Sequence, residues 1–183
     1  MGASRFLAVL ALLLLVPAHA DVRNCQCDVA VPATLEAREC SLCKEVEKYP
    51  ADIPYVFVRD TNPNKPNRWL VLPRFHGKRP QQLLEMTPEQ RTGYWRAAFV
   101  KARELWGEEW GIAFNSTERR TQCHMHMHIG KLLPGQEDDR FVVVDGPESI
   151  PVPHEGDGMW VHPVSGRYHV HNGEPAGELK LQK

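Results

Sequence analysis

Three histidines that alternate along one short stretch are the residues best suited to chemistry in this chain. His124, His126 and His128 are separated by Met125 and Met127. A repeat of two is typical of a β-strand, whose successive side chains point to opposite faces. The three imidazoles would then share one face, with neighbours roughly 6.6 Å apart. That spacing suits one bound phosphate or one metal ion, and a solvated strand face is the plain alternative.

The segment before these histidines favours a site over a merely solvated face. It begins at Asn115 and ends in Arg119, Arg120, Thr121 and Gln122. These side chains donate hydrogen bonds, and two of them are cationic, which suits phosphate oxygens.

A second group of histidines lies near the carboxyl terminus. His162, His169 and His171 flank residues 163–166, whose sequence Pro-Val-Ser-Gly is typical of a hairpin turn. They could line a second wall of the first site or bind a metal. Nothing in the sequence fixes their position relative to His126, so exposed hairpin histidines are favoured.

The cysteines leave two alternatives open. There are five, an odd number that cannot all pair within one chain: Cys25, Cys27, Cys40, Cys43 and Cys123. Cys40 and Cys43 lie three residues apart in a helix-like stretch, so their sulfurs would share a face and could bind zinc or close a disulfide. Cys123 precedes His124 directly and should point away from the histidine face.

Two helices are predicted. Apolar spacing indicates a short helix over residues 34–49. The sequence Thr87-Pro88-Glu89-Gln90 is a capping box that begins a long helix, which ends near Trp106. One apolar stripe along it is interpreted as core: Tyr94, Trp95, Ala98, Phe99, Ala102, Leu105 and Trp106.

Strands are predicted between and after these helices. Residues 55–59 and 68–72 indicate a hairpin across a turn rich in Asn and Pro. Residues 111–115 indicate a strand that leads to the histidine strand, and residues 141–144 a further one. The expected fold class is α+β, an antiparallel sheet with one long and one short helix packed on it.

The first twenty residues predict export. Arg5, an apolar run over residues 6–16 and Pro17-Ala18-His19-Ala20 resemble a signal peptide cleaved after Ala20. We expect a single domain over residues 21–183 in the periplasm or outside the cell, with a core of about 34–134 and a C-terminal β extension of about 135–183. Export favours disulfides.

The charge balance excludes some partners. The formal net charge is −1, which argues against a nucleic-acid coat or a polybasic membrane binder. No segment after the predicted signal peptide is long and apolar enough to cross a bilayer.

The order of these motifs resembles the histidine-triad superfamily of nucleotide hydrolases and transferases. The resemblance covers about residues 40–134. The narrower pattern of Asn115-Ser116, then Arg120-Thr121-Gln122, then His126-Met127-His128 is similar to the CDP-diacylglycerol pyrophosphatase branch of the bacterial envelope. That branch has glutamine at the position of His124.

The resemblance implies a role for each site residue. His126 would be the nucleophile, while His128 would hold the phosphate and steer the His126 tautomer, and His124 would complete the triad. Hydrogen bonds to the reacting phosphate would come from Asn115, Thr121 and Gln122. Arg120, and less directly Arg119, would neutralise charge on the phosphoryl oxygens. Arg68 stands where many relatives carry a histidine near the nucleotide, so it would contact the substrate, and a plain surface arginine is the equal alternative.

The resemblance also implies a structural zinc ion. Some soluble relatives hold zinc through a Cys-x-x-Cys pair and two histidines, which here correspond to Cys40, Cys43, His76 and His124. This favours zinc over a disulfide. The chemistry itself would need no cofactor, and a homodimer is expected by analogy alone.

The sequence therefore predicts a hydrolase that cleaves CDP-diacylglycerol to CMP and phosphatidate. Two alternatives stay open: a hydrolase or transferase of soluble nucleotide conjugates, and a zinc-stabilised nucleotide-binding module without turnover.

Overall fold

The computed structural model describes residues 22–75 and 82–183. The predicted signal peptide and His76 lie outside these residues. The helices are α1 (Ser41–Val46) and α2 (Pro88–Trp106), and the strands are β1 (Tyr55–Arg59), β2 (Trp69–Pro73), β3 (Trp110–Phe114), β4 (Met127–Lys131), β5 (Val142–Val144), β6 (Met159–Val164) and β7 (Arg167–Asn172). No helix in the described part of the chain is long and apolar enough to cross a membrane.

The described strands form one seven-stranded sheet in the order β1-β2-β4-β3-β6-β7-β5. Every neighbouring pair is antiparallel, which confirms the predicted α+β class with an antiparallel sheet. Both predicted hairpins form. The second turns at Ser165 and Gly166, whose φ angles of 49° and 80° suit the primed turns that match strand twist.

Helix α2 covers one face of the sheet. Thr87 and Gln90 make the predicted capping box. Five members of the predicted stripe are buried: Tyr94, Trp95, Ala98, Phe99 and Ala102. They pack against side chains that point from alternate strand positions, among them Met127 and Ile129. The methionines between the triad histidines therefore belong to the core.

The opposite face of the sheet carries the histidines. Helix α1 and a C-terminal turn cover its two ends. Helix α1 packs on β1 and β2 through Leu42 and Val46. A 3-10 turn at Gly177–Lys180 lies over β3 and β6. A Cβ on Gly177 would stand 3.1 Å from the Met159 carbonyl oxygen and 3.2 Å from the Ala113 Cβ, so the turn packs closely on the sheet at this residue.

The histidine segment departs from the predicted strand. Strand β4 begins at Met127, and the chain bends at Cys123 and His124. The neighbouring strand β2 ends at Pro73. The Cys123 amide instead donates to the Glu39 carbonyl at 2.7 Å. Because of this contact outside the sheet, the residues before Met127 do not form the strand that their alternating pattern predicts.

The predicted helix over residues 34–49 is shorter than expected. The chain forms 3-10 turns at Pro32–Glu36 and Arg38–Cys40 before α1 begins. Ala37 between them is extended, with φ −63° and ψ 141°, and this interrupts the helix.

Candidate active site

A cavity of about 460 Å³ opens on the histidine face of the sheet. One wall is formed by Arg38, Ser41 and Leu42, another by the β1–β2 loop, and a third by Glu178 from the C-terminal turn. His126 and His128 line it together with Asn115, Arg120, Thr121 and Gln122. The structure thus brings together most of the residues that the sequence singles out, in a volume typical of small-molecule sites.

His126 is held in one tautomer by the backbone. Its Nδ1 lies 2.8 Å from the carbonyl oxygen of His124. A carbonyl only accepts, so Nδ1 donates its hydrogen, and Nε2 of the neutral ring keeps the lone pair. Burial lowers the pKa of His126 to about 4, so the ring is neutral at pH 7. The arrangement leaves His126 with one nucleophilic nitrogen, and the His124 carbonyl, rather than His128, steers the tautomer.

His128 lies between Asn115, with which it shares a hydrogen bond, and the Glu178 carboxylate. The Glu178 amide donates to Asn115 Oδ1 at 3.1 Å, so the Asn115 amide nitrogen faces His128 Nε2, at 3.5 Å. The His128 hydrogen then belongs on Nδ1, which faces the Glu178 carboxylate at 3.7 Å. Burial, and then the neighbouring His126, lowers the pKa of His128 well below its ordinary value.

Glu178 is a site residue that sequence reasoning missed. It lines the cavity and pairs with Lys65, and with Arg68 at 2.8 Å. Burial alone would raise its pKa, but His128, Lys65 and Arg68 outweigh this effect and lower the pKa to about 2. No local motif surrounds Glu178, because only the folded C-terminal segment brings it to the site.

The cavity carries more positive than negative side chains. Arg120 is buried beside the Phe114 ring, its guanidinium carbon 5.3 Å from the ring centroid. Burial lowers the pKa of Arg120 to about 10, which still leaves it charged at neutral pH. Arg38, Lys65 and Arg119 also line the cavity, against two carboxylates, Asp60 and Glu178. Such an excess of cations favours an anionic ligand.

Two residues that are predicted to bind ligand, Gln122 and Arg68, make hydrogen bonds within the protein. Gln122 accepts from the Ser41 hydroxyl at 2.8 Å and donates to the Arg38 carbonyl at 3.1 Å, so it fixes the wall of the cavity. Arg68 is 1% exposed and lies outside the cavity. Its guanidinium donates to carbonyls of the C-terminal segment and to Glu178. The prediction that Arg68 contacts substrate is therefore wrong.

His124 also lies outside the cavity. Its Nε2 is 2.9 Å from the Pro73 carbonyl oxygen, and its ring is buried. The chain bends at this residue, so the three imidazoles do not line one face. His124 serves the site through its backbone, which holds His126.

The zinc site implied by the resemblance does not fit the structure. Cys40 forms a disulfide with Cys27, and Cys25 forms one with Cys123. Cys40 therefore has no thiolate for a metal and does not pair with Cys43 either. Cys43 is a buried free thiol whose pKa burial raises to about 11. His76, the remaining ligand of the implied zinc site, lies outside the described residues.

The sulfurs of Cys27, Cys40 and Cys123 do approach one another within 4.8 Å. All three are bonded in the two disulfides, so this cluster offers no thiolate ligand. Disulfides are typical of proteins from oxidising compartments and are compatible with export.

The C-terminal histidines are neither exposed nor part of the cavity. His162 and His171 are buried, on strands β6 and β7. The prediction that they are exposed on a hairpin is wrong, because the alternate positions that they occupy face Trp160 and the acidic segment at Glu137. They form a separate cluster.

A comparison of the sequence with models of known protein families finds no match.

Proposed function

We propose that this protein hydrolyses a nucleotide pyrophosphate linkage with His126 as the nucleophile. The observation that carries the proposal is the 2.8 Å contact between His126 Nδ1 and the His124 carbonyl. It leaves the Nε2 lone pair available at a cavity that carries an excess of cations. A neutral, oriented imidazole beside an anion-binding cavity is suited to attack on phosphorus.

In the first step Nε2 of His126 attacks the phosphorus that bears the nucleoside. The Nε2–P bond forms as the bond to the bridging oxygen breaks, and the electron pair leaves with the departing phosphate. The ring then carries positive charge. The His124 carbonyl, which accepts from Nδ1, stabilises that charge, and Arg120 stabilises the negative charge on the phosphoryl oxygens.

In the second step a water molecule attacks the same phosphorus. A P–O bond forms, the Nε2–P bond breaks, and its electron pair returns to Nε2. The nucleoside monophosphate leaves with the water oxygen, and the proton passes to solvent. Asn115 and Thr121 would donate to the phosphoryl oxygens through both steps. His128, whose Nε2 accepts from the Asn115 amide, would orient that amide.

CDP-diacylglycerol, split into CMP and phosphatidate, is the substrate we propose. The support comes from the resemblance of residues 115–128 to the corresponding branch of the histidine-triad superfamily, to which we assign the fold. Export to the bacterial envelope would bring the enzyme to lipid-linked nucleotides. We also propose that the signal peptide is cleaved after Ala20.

The test is CMP release from CDP-diacylglycerol in detergent micelles by wild type and by His126→Asn. We expect the variant to lose at least about 1,000-fold in kcat, as is usual when a covalent nucleophile is removed. A CMP adduct should map to His126 by mass spectrometry of rapidly quenched wild-type protein. His154→Asn is the control, since His154 is exposed and outside the cavity.

Other outcomes would favour the alternatives. Faster turnover of water-soluble dinucleotides than of CDP-diacylglycerol would assign a soluble substrate. Nucleotide binding by wild type without any turnover would indicate a binding module and overturn the proposal.

A further inference from the structure

A second cluster of histidines lies on the same sheet face as His128 but apart from the cavity. His128, Ala113, Trp160 and His171 are paired in register across β4, β3, β6 and β7. Three strand spacings separate His128 from His171, roughly 14 Å. The bulk of Trp160 and the turn at Gly177–Lys180 lie between the two sites.

Three side chains of this cluster converge on one point. His162 Nε2 is 2.9 Å from a carboxylate oxygen of Glu137, and His171 Nε2 is 3.4 Å from the other. One ligand atom from each residue lies within 4.8 Å of the other two. Ligands about 2.0 to 2.1 Å from a tetrahedral zinc ion are roughly 3.4 Å apart, so the cluster needs little movement to hold one.

Two ring nitrogens of this cluster lie beside the Glu137 carboxylate without a well-formed hydrogen bond. Neither His162 Nε2 nor His171 Nε2 makes a hydrogen bond of acceptable geometry, and both are buried. The side chains of His162 and His171 are only 5% and 3% exposed. A buried polar atom without a partner is costly, and a metal ion would satisfy both nitrogens at once.

Neighbouring groups hold the three side chains in place. The Trp160 ring stacks on His171 and His162, with centroids 3.8 and 4.9 Å apart and planes within 12°. Asp138 lies 3.4 Å from His171 Nδ1, and His169 Nδ1 bonds Glu137 at 2.9 Å. Carboxylates behind ligating histidines and hydrogen bonds to ligating carboxylates are usual around metal ions in proteins.

We propose that Glu137, His162 and His171 bind one divalent transition-metal ion such as zinc, with Asp138 and His169 as orienting residues. Two imidazoles and one carboxylate suit zinc and its neighbours, whereas calcium and magnesium prefer oxygen ligands. Glu137 is 42% exposed, so the ion can enter from solvent and keep a water ligand. This site is independent of the proposed hydrolysis.

Zinc titration of the metal-free full-length protein by calorimetry tests the proposal. We expect one equivalent to bind to wild type. Glu137→Gln should weaken binding at least about 100-fold, since it removes a ligand, and Asp138→Asn about 10- to 100-fold. Asp145→Asn, an exposed carboxylate elsewhere, and His126→Asn should bind as wild type does. Absence of stoichiometric binding, or unchanged binding by Glu137→Gln, would overturn the proposal.

Cobalt binding to wild type gives a second measurement that needs no variant. Imidazole and carboxylate ligands give visible absorption bands without the near-ultraviolet charge transfer of a cobalt–thiolate bond. A thiolate band, or binding that requires a reductant, would place the metal on cysteines and contradict the assignment.

Discussion

At the scale of single residues, hydrogen bonds to the backbone decide the chemistry available to His126. The His124 carbonyl fixes the hydrogen on Nδ1, and burial keeps the ring neutral. An imidazole in water has a pKa near 6.5 and either tautomer. The fold thus converts an ordinary histidine into a neutral ring with one defined nucleophilic nitrogen.

The activity should resist acid more than that of an exposed histidine nucleophile. Only the neutral ring attacks, and burial lowers the pKa of His126 to about 4. We expect kcat/KM to hold between pH 7 and 5 and to fall only as the pH falls through about 4. The measurement is a pH profile with circular dichroism at each point. A half-loss near pH 6.5 with the fold intact would contradict this.

Glu178 should contribute to turnover through His128. The Glu178→Gln variant keeps the shape of the side chain but removes the charge that faces His128 Nδ1 at 3.7 Å. We expect kcat to fall about 10- to 100-fold, a usual loss for a residue that orients another, with a smaller change in KM. Steady-state kinetics measure both.

The control for this prediction is Glu174→Gln. Glu174 lies in the same C-terminal segment, with its carboxylate 3.8 Å from Lys180, and it does not line the cavity. Equal losses in the two variants would show that the segment matters only for folding.

At the scale of elements, Arg68 ties the C-terminal segment to the sheet. Its guanidinium donates to the carbonyls of Glu178, Leu181 and Gln182 and to the Glu178 carboxylate. The segment carries Glu178 into the cavity. The hydrogen bonds of the buried Arg68 guanidinium therefore hold in place the segment that forms one wall of the cavity.

Arg68→Lys should destabilise the protein and loosen this segment. Lysine keeps the charge but cannot reproduce the planar set of guanidinium N–H donors. Because buried carbonyls then lose their hydrogen-bond partners, the free energy of unfolding should fall by about 3 kcal/mol. Urea unfolding measures the change in stability, and limited proteolysis after residue 172 measures the loosening of the segment.

The control is Arg167→Lys, because Arg167 forms an exposed ion pair. This variant should change the free energy of unfolding by less than about 0.5 kcal/mol. A loss of substrate affinity with unchanged stability would instead restore Arg68 as a ligand contact.

At the scale of the whole molecule, a disulfide connects the amino-terminal segment to the histidine segment. Cys25 and Cys123 are 98 residues apart in sequence, and Cys123 lies three residues before His126. The second disulfide, Cys27–Cys40, holds the turn that precedes α1. The two disulfides therefore anchor chain segments that adjoin the cavity.

Unfolded, unreduced protein should show one reactive thiol out of five cysteines, that of Cys43. The Cys25→Ala/Cys123→Ala variant should lose about 4 to 5 kcal/mol, because that bond closes the longer loop, and Cys27→Ala/Cys40→Ala about 3 kcal/mol. Thiol titration and urea unfolding measure these values. Three or more free thiols would support a cysteine metal site instead.

Several features could be predicted from local sequence. The capping box at Thr87, the stripe on α2 and both hairpins form as expected, because their signals depend on neighbours within a few residues. Asn115, Arg120, His126 and His128 do meet at one cavity. The assignment to a nucleotide hydrolase stays a prediction.

What the sequence by itself determined was which residue types could act and which local elements carry them. Tertiary structure decided their partners: Cys40 pairs with Cys27, Arg68 with the C-terminal segment, and Glu178 with His128. The physical reason is that these contacts join residues far apart in the chain. Their energies depend on burial and distance in the folded state, for which the spacing of residues along the sequence carries no signal.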